Sequence, residues 1–355
     1  MRTGWQRPTL ITGGAGFVGC NLADRLLSAG RPVTVLDDLS RPGVETNLAW
    51  LREHHGDRLR VVRGDVRDAA LVRDALDGAG QVFHFAAQVA VTTSLHDPLA
   101  DFEVNARGTL TVLEQIRRQR QPAGLIYTST NKVYGALPDL ELVREDRRYR
   151  PVEARVAERG IAEDRPLDFH SPYGCSKGAA DQYVLDYART FGIPAAVFRM
   201  SCIYGPHQFG TEDQGWVAHF LIRALEGHEI TIYGDGLQVR DLLYVEDLVD
   251  AFLAVERDIG AHAGRAFNVG GGPANAVSLL EVLEEIAGLE GAAPRLAFEP
   301  WRPGDQRYYV SDTSRLGAAT GWRPHTPVHD GLRHLRSWLV AARAPGRPAA
   351  AHGGA

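Results

Sequence analysis

A tyrosine and a lysine four residues apart, Tyr173 and Lys177, are the first pair in this sequence whose types and spacing suggest catalysis. At the start of a helix this spacing places both side chains on one face. A tyrosine has an ordinary pKa of about 10, so it acts as a base at neutral pH only where positive charge stabilises its phenolate. The ammonium group of Lys177 would supply such charge, although pairs of this kind also arise by chance on helix surfaces.

Three consecutive hydroxyl residues, Thr128, Ser129 and Thr130, follow a strand predicted over residues 125–127. In parallel sheets, ligands bind at the carboxyl ends of the strands. A hydroxyl at that edge can hydrogen-bond the substrate oxygen that Tyr173 deprotonates, although such clusters are also typical of turns and helix caps. The cluster therefore supplies a third candidate catalytic group, with the choice among its three hydroxyls left open.

A glycine-rich segment lies between the first predicted strand and the first predicted helix. Gly13, Gly16 and Gly19 allow a tight turn and the close approach of a pyrophosphate to the positive end of the helix. Asp37 ends the second predicted strand, where a carboxylate accepts hydrogen bonds from ribose hydroxyls and repels a 2′-phosphate. These features predict NAD rather than NADP, although Arg41 lies nearby. With this cofactor, the catalytic candidates predict hydride transfer at a substrate hydroxyl.

The elements that must position these residues alternate between short apolar strands and amphipathic helices. Strands are predicted over residues 8–12, 32–36, 59–63, 81–86, 124–128 and 195–200, and helices over 21–28, 69–76, 102–118 and 173–190. This alternation predicts an α/β fold, a Rossmann-type doubly wound parallel sheet. Beyond residue 200 the elements become mixed and short, with Gly and Pro clusters, which predicts a smaller C-terminal α/β substrate lobe.

This pattern predicts that the chain is divided into three segments. Residues 1–199 are predicted to form an NAD-binding Rossmann domain that carries the catalytic residues, and residues 200–340 the substrate lobe. The tail 341–355, rich in Ala, Gly, Pro and Arg, is predicted to be disordered. Residues 135–171 form a long polar insertion, which is either a lid over the site or a surface excursion.

Composition excludes several classes of protein. The 355 residues are 44% hydrophobic, enough for a buried core, and a net charge of −5 argues against nucleic acid as a partner. No run approaches the roughly 20 apolar residues of a membrane span, and the first residues lack the apolar core of a secretory signal. We therefore expect a cytoplasmic protein without a membrane partner. The three cysteines, Cys20, Cys175 and Cys202, include no C-x-x-C pair, so we expect reduced thiols and no metal site.

These residues resemble the extended short-chain dehydrogenase/reductase family and, within it, the nucleotide-sugar epimerases and dehydratases. The resemblance runs from about residue 8 to residue 339 and rests on TGGAGFVG, GDVRD, HFAAQV, STNKVYG, SPYGCSK, QVRDLLYVEDL and RPGDQR. Longer strings, among them HFAAQVAVTTS and QFGTEDQGWV, are similar to the CDP-paratose 2-epimerase (CDP-tyvelose epimerase) subfamily. The resemblance implies a homodimer whose interface is formed by the helices predicted over 102–118 and 173–190.

The resemblance also implies roles for individual residues. Thr130 matches the catalytic hydroxyl, Tyr173 the base, and Lys177 the lysine that also holds the nicotinamide ribose. Contacts to NAD are predicted for Gly13, Gly16, Phe17, Val18, Gly19, Asp37, Asp38, Ser40, Asp65, Val66, Phe85, Ala86, Ala87, Gln88, Thr128, Tyr173, Lys177 and Met200. Contacts to a nucleoside-diphosphate sugar are predicted for Ser94, Thr130, Asn131, Cys202, Arg240, Arg302, Asp305 and Arg307.

Within the second set, the resemblance assigns Arg240 and Arg302 to the pyrophosphate, Asp305 to the nucleoside ribose, and Arg307 as a further clamp candidate. Cationic forks suit a diphosphate. Cys202 departs from the family, since many sugar 4-epimerases carry an asparagine there. Cys175 or Cys202 could also act as the acid of a 3- or 5-epimerase. The role of a small buried core thiol is favoured over this one.

The mechanism implied is transient oxidation to a keto-sugar followed by hydride return to the opposite face, so NAD should stay bound. A 4,6-dehydratase needs an Asp-Glu pair directly after the catalytic hydroxyl, and this chain has Asn131 and Lys132 there. Inversion of C2 is favoured by the subfamily strings. Inversion of C4 in a UDP-, GDP- or ADP-linked sugar stays open, as do a dehydratase and a non-catalytic module that senses NAD(H).

Overall fold

The computed structural model describes residues 7–302 and 304–343. Its strands are β1 (Thr9–Thr12), β2 (Val33–Asp37), β3 (Leu59–Arg63), β4 (Gln81–His84), β5 (Gly124–Thr130), β6 (Leu142–Arg144), β7 (Tyr149–Pro151), β8 (Ala195–Met200), β9 (Cys202–Tyr204), β10 (Ile230–Tyr233), β11 (Val239–Tyr244), β12 (Arg265–Val269), β13 (Ala276–Ser278), β14 (Leu296–Glu299) and β15 (Tyr308–Tyr309). Its α-helices are α1 (Phe17–Ser28), α2 (Val44–His55), α3 (Ala69–Ala75), α4 (Val91–His96), α5 (Pro98–Phe102), α6 (Gly108–Arg117), α7 (Ala154–Arg159), α8 (Ser171–Phe191), α9 (Trp216–Leu225), α10 (Val245–Glu256), α11 (Leu279–Glu290), α12 (Ser314–Thr320) and α13 (Val328–Ala342).

Seven parallel strands form the central sheet, in the order β12-β8-β5-β4-β1-β2-β3. The chain starts at β1, builds outward to β3, and then crosses back to add β4 on the other side. Between β1 and β4 the strand order therefore reverses, and a doubly wound sheet binds its ligand at such a point. The predicted fold class is confirmed.

Both faces of this sheet are covered by helices, which explains why its strands read as nearly continuous apolar runs. Neighbouring strand residues point to opposite faces. Leu10 and Leu125 pack with α3, α6 and α8, whereas Ile11 and Ile126 pack with α1, α2 and α10. The two clusters fix the orientation of every strand, and with it the edge at which the functional residues lie.

The second lobe contains two further sheets, β13-β11-β15 with β9 paired to β11, and β10-β14. Helices α9, α11 and α13 bury their apolar faces against it, around Leu221, Ile286 and Leu335. The predicted division at residue 199/200 does not separate the two lobes cleanly. Strand β12 returns to the central sheet, where Ala266 is aligned with Val197 of β8, and α10 covers the same sheet. A strand buried on both faces, as β8 is, needs a partner at its edge, and β12 provides it.

The polar insertion over residues 135–171 is packed structure. It contains the antiparallel pair β6–β7 and the helix α7. Tyr149, Val156 and Ile161 are buried in one cluster with Val239 and Val310 of the second lobe. Backbone hydrogen bonds join Tyr149 N to Leu237 O and Ile161 N to Val310 O. The segment therefore belongs structurally to the second lobe.

Several predicted boundaries shift. The helix expected over 102–118 begins at Pro98 and passes through a π-helical turn, Glu103–Arg107, before α6. Strand β5 continues to Thr130, so the three hydroxyl residues end the strand rather than follow it. Helix α13 extends to Ala342, so the predicted disordered tail loses its first residues, and residues 344–355 lie outside the described part of the chain.

Residues 1–6, on which the prediction about a secretory signal rests, also lie outside the described residues. Within residues 7–302 and 304–343, no helix combines the length and the apolar character that crossing a bilayer requires.

Candidate active site

A cavity of about 420 Å³ lies where the carboxyl ends of the central strands face the second lobe. Its walls come from both lobes. The first domain contributes the start of α1, the ends of β5 and β8, and Tyr173 of α8, and the second lobe contributes residues of β9, α9, β10 and β11. Of the predicted site residues, those that line it are Phe17, Val18, Thr130, Asn131, Tyr173, Met200, Cys202, Arg240, Arg302 and Asp305. No residue of the 135–171 segment appears in the described wall, so a lid there gains no support.

The glycine-rich loop has the shape that a pyrophosphate requires. Gly13 has φ +68°, and a Cβ there would lie 2.7 Å from the backbone nitrogen of Ala86. A Cβ at Gly19 would collide with the carbonyl oxygen of Gly13. Helix α1 begins at Phe17, and Gly16 offers no side chain to cap its first N–H groups, which therefore suit a bound anion. The loop fits the diphosphate of a dinucleotide.

Asp37 lies at the end of β2, beside this loop. Its carboxylate accepts a hydrogen bond from Ala15 N at 3.0 Å and from Leu39 N at 2.9 Å. Burial raises the pKa of Asp37. A carboxylate has about four acceptor positions, so two contacts leave capacity for ribose hydroxyls. Next to it, Asp38 accepts from both the backbone and the hydroxyl of Ser40 on the exposed rim.

Other predicted cofactor contacts are occupied by the protein itself. Asp65 is paired with Arg67, which lowers the pKa of this carboxyl, and Val66 is buried. The ring of Phe85 stacks on Phe252 at 5.1 Å. The side chain of Gln88 binds the backbone of residue 90 and the carboxylate of residue 101. Ala86 and Ala87, which follow β4 at the reversal of strand order, have no such competing side-chain contact to make.

Tyr173 and Thr130 meet at the cavity wall. Tyr173 lines it from the first turn of α8 and Thr130 from the end of β5. Burial raises the pKa of Tyr173 to about 12, against the opposing effect of Thr130. The expectation that a neighbouring ammonium makes the phenol acidic is therefore not met in the protein alone, because burial dominates. The positive charge of the oxidised nicotinamide has to supply the remaining stabilisation.

Lys177 lies one turn beyond Tyr173 and is fully buried. Its Nζ donates to the carbonyl oxygen of Thr128 at 2.6 Å and lies 4.4 Å from the centre of the Tyr127 ring. Burial lowers the pKa of Lys177 to about 7, against the opposing charges of Asp181 and Asp101. The hydrogen bond therefore fixes Lys177 at the end of β5. There, burial and the nearby carboxylates of Asp181 and Asp101 together set the pKa of its ammonium group.

Ser94, together with Asp101 and Ser176, which the sequence did not single out, holds α8 in place. The backbone nitrogen of Tyr173 donates to Ser94 Oγ at 3.2 Å, and this hydroxyl donates to Val91 O. Ser94 therefore lies behind Tyr173, where it positions the helix, and not on the described cavity wall where a sugar contact was predicted. Ser176 donates to the carboxylate of Asp101 at 2.5 Å. The signal for this contact in the sequence was Ser176, a polar residue among the apolar positions of the helix predicted over 173–190.

At the other end of the cavity, one carboxylate joins two cations. Arg240 Nη2 donates to Asp305 Oδ1 at 2.8 Å, and Lys132 Nζ lies 3.2 Å from the same oxygen. Burial raises the pKa of Asp305, but Arg240 and Lys132 outweigh it and hold the pKa at about 2. Lys132 was not predicted as a binding residue. Its charge two positions after the catalytic hydroxyl was the signal that could have identified it.

Two further candidates, Arg302 and Cys202, line the cavity. Arg302 lies 3.9 Å from the ring centre of Tyr233 and 3.3 Å from a carboxylate oxygen of Asp213. Cys202 accepts a hydrogen bond from the indole of Trp216 at 3.4 Å, and burial raises the pKa of its thiol.

Two candidates lie elsewhere. Arg307 is exposed and lies over the rings of Tyr149 and Trp301, away from the described cavity wall. Cys175 is exposed, with its thiol towards the carbonyl oxygen of Phe169, so it is not a candidate acid.

Comparison with known proteins agrees with this geometry. The pattern of the NAD dependent epimerase/dehydratase family matches residues 9–270. The chain is 42% identical over 336 residues to CDP-paratose 2-epimerase from Salmonella typhi, covering 93% of this chain and 98% of that protein. It is 34% identical over 335 residues to dTDP-glucose 4,6-dehydratase from Streptomyces griseus, covering 93% of each. UDP-glucose 4-epimerase of Thermus thermophilus, solved in complex with NAD, superimposes with a TM-score of 0.78 at 32% identity, covering 94% of this chain and 99% of that chain.

The matched region includes both the glycine-rich loop and the pair Thr130 and Tyr173. The loop fits a dinucleotide, and the solved relative holds NAD. The chain therefore belongs to the NAD dependent epimerase/dehydratase family, as an NAD-dependent enzyme of the nucleotide-sugar epimerase type.

Proposed function

We propose that this enzyme inverts C2 of a CDP-linked sugar by transient oxidation to a keto-sugar. One observation carries the proposal: Thr130 and Tyr173 line the same cavity, and the two residues after Thr130 are Asn131 and Lys132 instead of a carboxylate pair. The first half of this observation supports oxidation at a hydroxyl, and the second half opposes elimination of water. The choice of C2 and of CDP is supported by the 42% identity to CDP-paratose 2-epimerase.

In this mechanism Tyr173 removes the proton of the sugar hydroxyl while Thr130 hydrogen-bonds the same oxygen. When bound, NAD supplies the hydride acceptor for this oxidation and the hydride donor for the return. Tyr173 then gives its proton back to the oxygen as the ketone is reduced, so no group is left oxidised. Lys177, whose Nζ is fixed by Thr128 O, lies one turn beyond Tyr173 on α8, where it can hold the nicotinamide ribose.

Inversion requires that the keto-sugar present its other face before it is reduced. The cations Arg240 and Arg302 line the same cavity as Tyr173 and suit a diphosphate. Anchored there, the intermediate can turn about its bonds to the phosphate without leaving. The cavity of about 420 Å³ gives it room to do so.

Dehydration needs an acid and a base beside the ring in addition to Tyr173. Asn131 is an amide whose nitrogen donates to the side-chain oxygen of Gln306 at 3.1 Å, and Lys132 is an ammonium. The carboxylate of Asp305 is engaged by Lys132 and Arg240, and those of Glu212 and Asp213, which also line the cavity, lie beside Arg302. A dehydratase is therefore disfavoured despite the 34% identity to one.

Inversion of C4 is the second candidate, since the fold superimposes on a UDP-glucose 4-epimerase with a TM-score of 0.78. Against it stands Cys202, whose thiol accepts from Trp216 and occupies the position of the expected asparagine.

We also infer a homodimer that acts in the cytoplasm. Leu99 and Phe102 of α5 and Tyr183 and Phe191 of α8 are large apolar residues with 45% to 71% of their surface exposed. They lie on the two helical segments predicted to form the interface, and a self-complementary apolar patch is typical of a two-fold dimer. The cysteines in the described residues are free, as is usual in a reducing compartment.

The test is to incubate the NAD-loaded enzyme with a panel of CDP-, UDP-, GDP- and ADP-sugars in ordinary and in deuterated water, and to follow the products by NMR. We expect one CDP-sugar to be inverted at C2 without deuterium from the solvent. Inversion at C4, incorporation of solvent deuterium, or release of stoichiometric NADH would each overturn this mechanism.

A further inference from the structure

The chain contains two lysines, Lys132 and Lys177, among 39 basic residues. All other basic positions are arginine, yet both lysines lie at the candidate active site. Arginine is a planar fork, whereas lysine carries a compact charge on a flexible stem, so the two are not interchangeable where a single atom must be reached. Lysine at these two positions indicates that a compact ammonium is required. Lys177 has a role in the mechanism above, and Lys132 does not yet have one.

Lys132 spans the distance between the catalytic hydroxyl and the cation cluster. Its backbone nitrogen donates to Thr130 Oγ1 at 3.2 Å. Its Nζ lies 3.2 Å from Asp305 Oδ1 and 3.5 Å from Gly304 O. The side chain is 22% exposed and lines the cavity. The ammonium therefore stands between Tyr173 and Arg240 along the cavity wall.

The charges around it are not balanced. Lys132 and Arg240 share one oxygen of Asp305, so this group carries two positive charges and one negative charge. Arg302, in contrast, faces the carboxylates of both Glu212 and Asp213. An excess positive charge in a partly desolvated cavity is costly unless an anion binds there. The unbalanced cluster is therefore suited to a phosphate.

We propose that Lys132 binds the phosphate group attached to the anomeric carbon of the sugar. This inference rests on the proposed function, since it takes a nucleoside-diphosphate sugar as the ligand. It also fits inversion of C2. That carbon is bonded to the anomeric carbon, so its hydroxyl can reach Tyr173 only if the phosphate lies close by. C4 lies across the ring, and its hydroxyl would leave the phosphate farther from Thr130.

The competing role for Lys132 is a purely structural one, in which its ion pair with Asp305 joins the two lobes. In that role the ammonium would not respond to the number of phosphates on the ligand. Cytidine diphosphate and cytidine monophosphate separate the two roles, since they differ only by the terminal phosphate that corresponds to the one on the sugar.

The experiment labels the NAD-loaded enzyme with lysine carrying ¹³C at Cε, which gives signals from only two side chains. The Lys132→Arg variant assigns them by the signal that it removes. We expect saturating CDP to shift the Lys132 signal and CMP to leave it unchanged. An unshifted Lys132 signal at saturating CDP overturns the proposal, and this measurement on the unmodified chain decides even where variants fold poorly.

Affinity measurements give a second readout. We expect Lys132→Met to weaken CDP binding about tenfold, as loss of a charge-assisted hydrogen bond would, and to change CMP binding little. Arg73→Gln is the matched control, because it removes one exposed cation on α3, far from the cavity, and should leave both affinities unchanged. A Lys132→Met variant with the CDP-to-CMP preference of the unmodified enzyme would contradict the proposal.

Failure of the inference can be told from failure of the proposed function. If CDP binds without moving the Lys132 signal, the inference is wrong and the function stands. If UDP, GDP or ADP binds and shifts the signal while CDP does not bind, the proposed base is wrong and the inference stands. If no nucleoside diphosphate binds, both are overturned.

Discussion

Thr130, at the end of β5, lines the same cavity as Tyr173, in the first turn of α8, and its hydroxyl partly offsets the effect of burial on the pKa of the phenol. The two residues are far apart in sequence, and the parallel sheet together with the packing of α8 beneath it brings them together. The phenol is buried, and its pKa is raised to about 12. The protein thus supplies the geometry for proton transfer, while much of the charge that favours the phenolate must come with the cofactor.

Tyr173→Phe tests the assigned base. The variant keeps the ring but loses the group that exchanges the proton, so we expect turnover to fall by about a thousandfold, within the range for a positioned acid-base group. Bound NAD should be unchanged. The measurement is product formation by NMR together with the NAD content of the purified protein.

Tyr149→Phe is the matched control, since its hydroxyl binds Asp235 outside the cavity, and it should retain activity. Unchanged turnover in Tyr173→Phe would instead support a non-catalytic module that senses NAD(H).

Gly19→Ala tests the dinucleotide loop. An added Cβ would collide with the carbonyl oxygen of Gly13 and displace the turn, so we expect the purified protein to lose most of its bound NAD. The control is Gly288→Ala in α11, where a Cβ meets nothing within 4 Å and where alanine favours the helix by about 1 kcal/mol. Equal NAD content in the two variants would show that the loop does not hold the cofactor.

Lys177→Met tests the consequence of burying an ammonium. The pKa of Lys177 is lowered from 10.5 to about 7, so below pH 7 the folded protein bears the full cost of a buried charge. As the pH rises from 7 to 10.5 the folded state loses this proton before the unfolded state does, and the cost disappears.

We therefore expect the cofactor-free variant to be more stable than the unmodified protein at pH 6, on the order of 5 kcal/mol for a shift of about 3.5 pKa units at about 1.4 kcal/mol per unit. The difference should shrink towards zero by about pH 10.5. Chemical denaturation across this range measures it, and a difference independent of pH would refute the assignment.

Leu99→Arg tests the proposed dimer. Leu99 is 71% exposed on α5, and a charge at the centre of an apolar interface would have to be buried unpaired. We expect the variant to be monomeric by light scattering while the unmodified chain is dimeric. Phe298→Arg on β14, which changes an apolar residue with 55% exposure elsewhere, should stay dimeric. If light scattering shows the unmodified chain to be monomeric, the proposed homodimer is wrong.

Much of the first domain could be predicted, because its signals are local. A strand that is buried on both faces shows as an apolar run, and the glycines of the loop are needed within one turn. Tyr173 and Lys177 belong to one helix, so their spacing alone relates them. The hydroxyl cluster 128–130 followed from its place after a predicted strand, since that edge of a parallel sheet is where ligands bind, and the family resemblance selected Thr130 within it.

The second lobe was harder to predict, because its contacts join distant segments. Strand β12 was not recognised as part of the central sheet, although it pairs with β8. The direction of Arg307, which lies over Tyr149 and Trp301, could not be known without the fold. Ser94 was predicted to contact sugar, but its hydroxyl supports the backbone of Tyr173.

The sequence by itself determined the class of fold, and it predicted the cofactor loop and the candidate catalytic residues Tyr173 and Lys177. These depend on periodicity and on spacings of a few residues, which backbone geometry converts directly into faces and turns. Only the tertiary structure decided how acidic these groups are, because burial sets the pKa of both. It alone placed Lys132 beside Asp305, 173 positions away in sequence, since contacts between distant segments depend on how the two lobes pack.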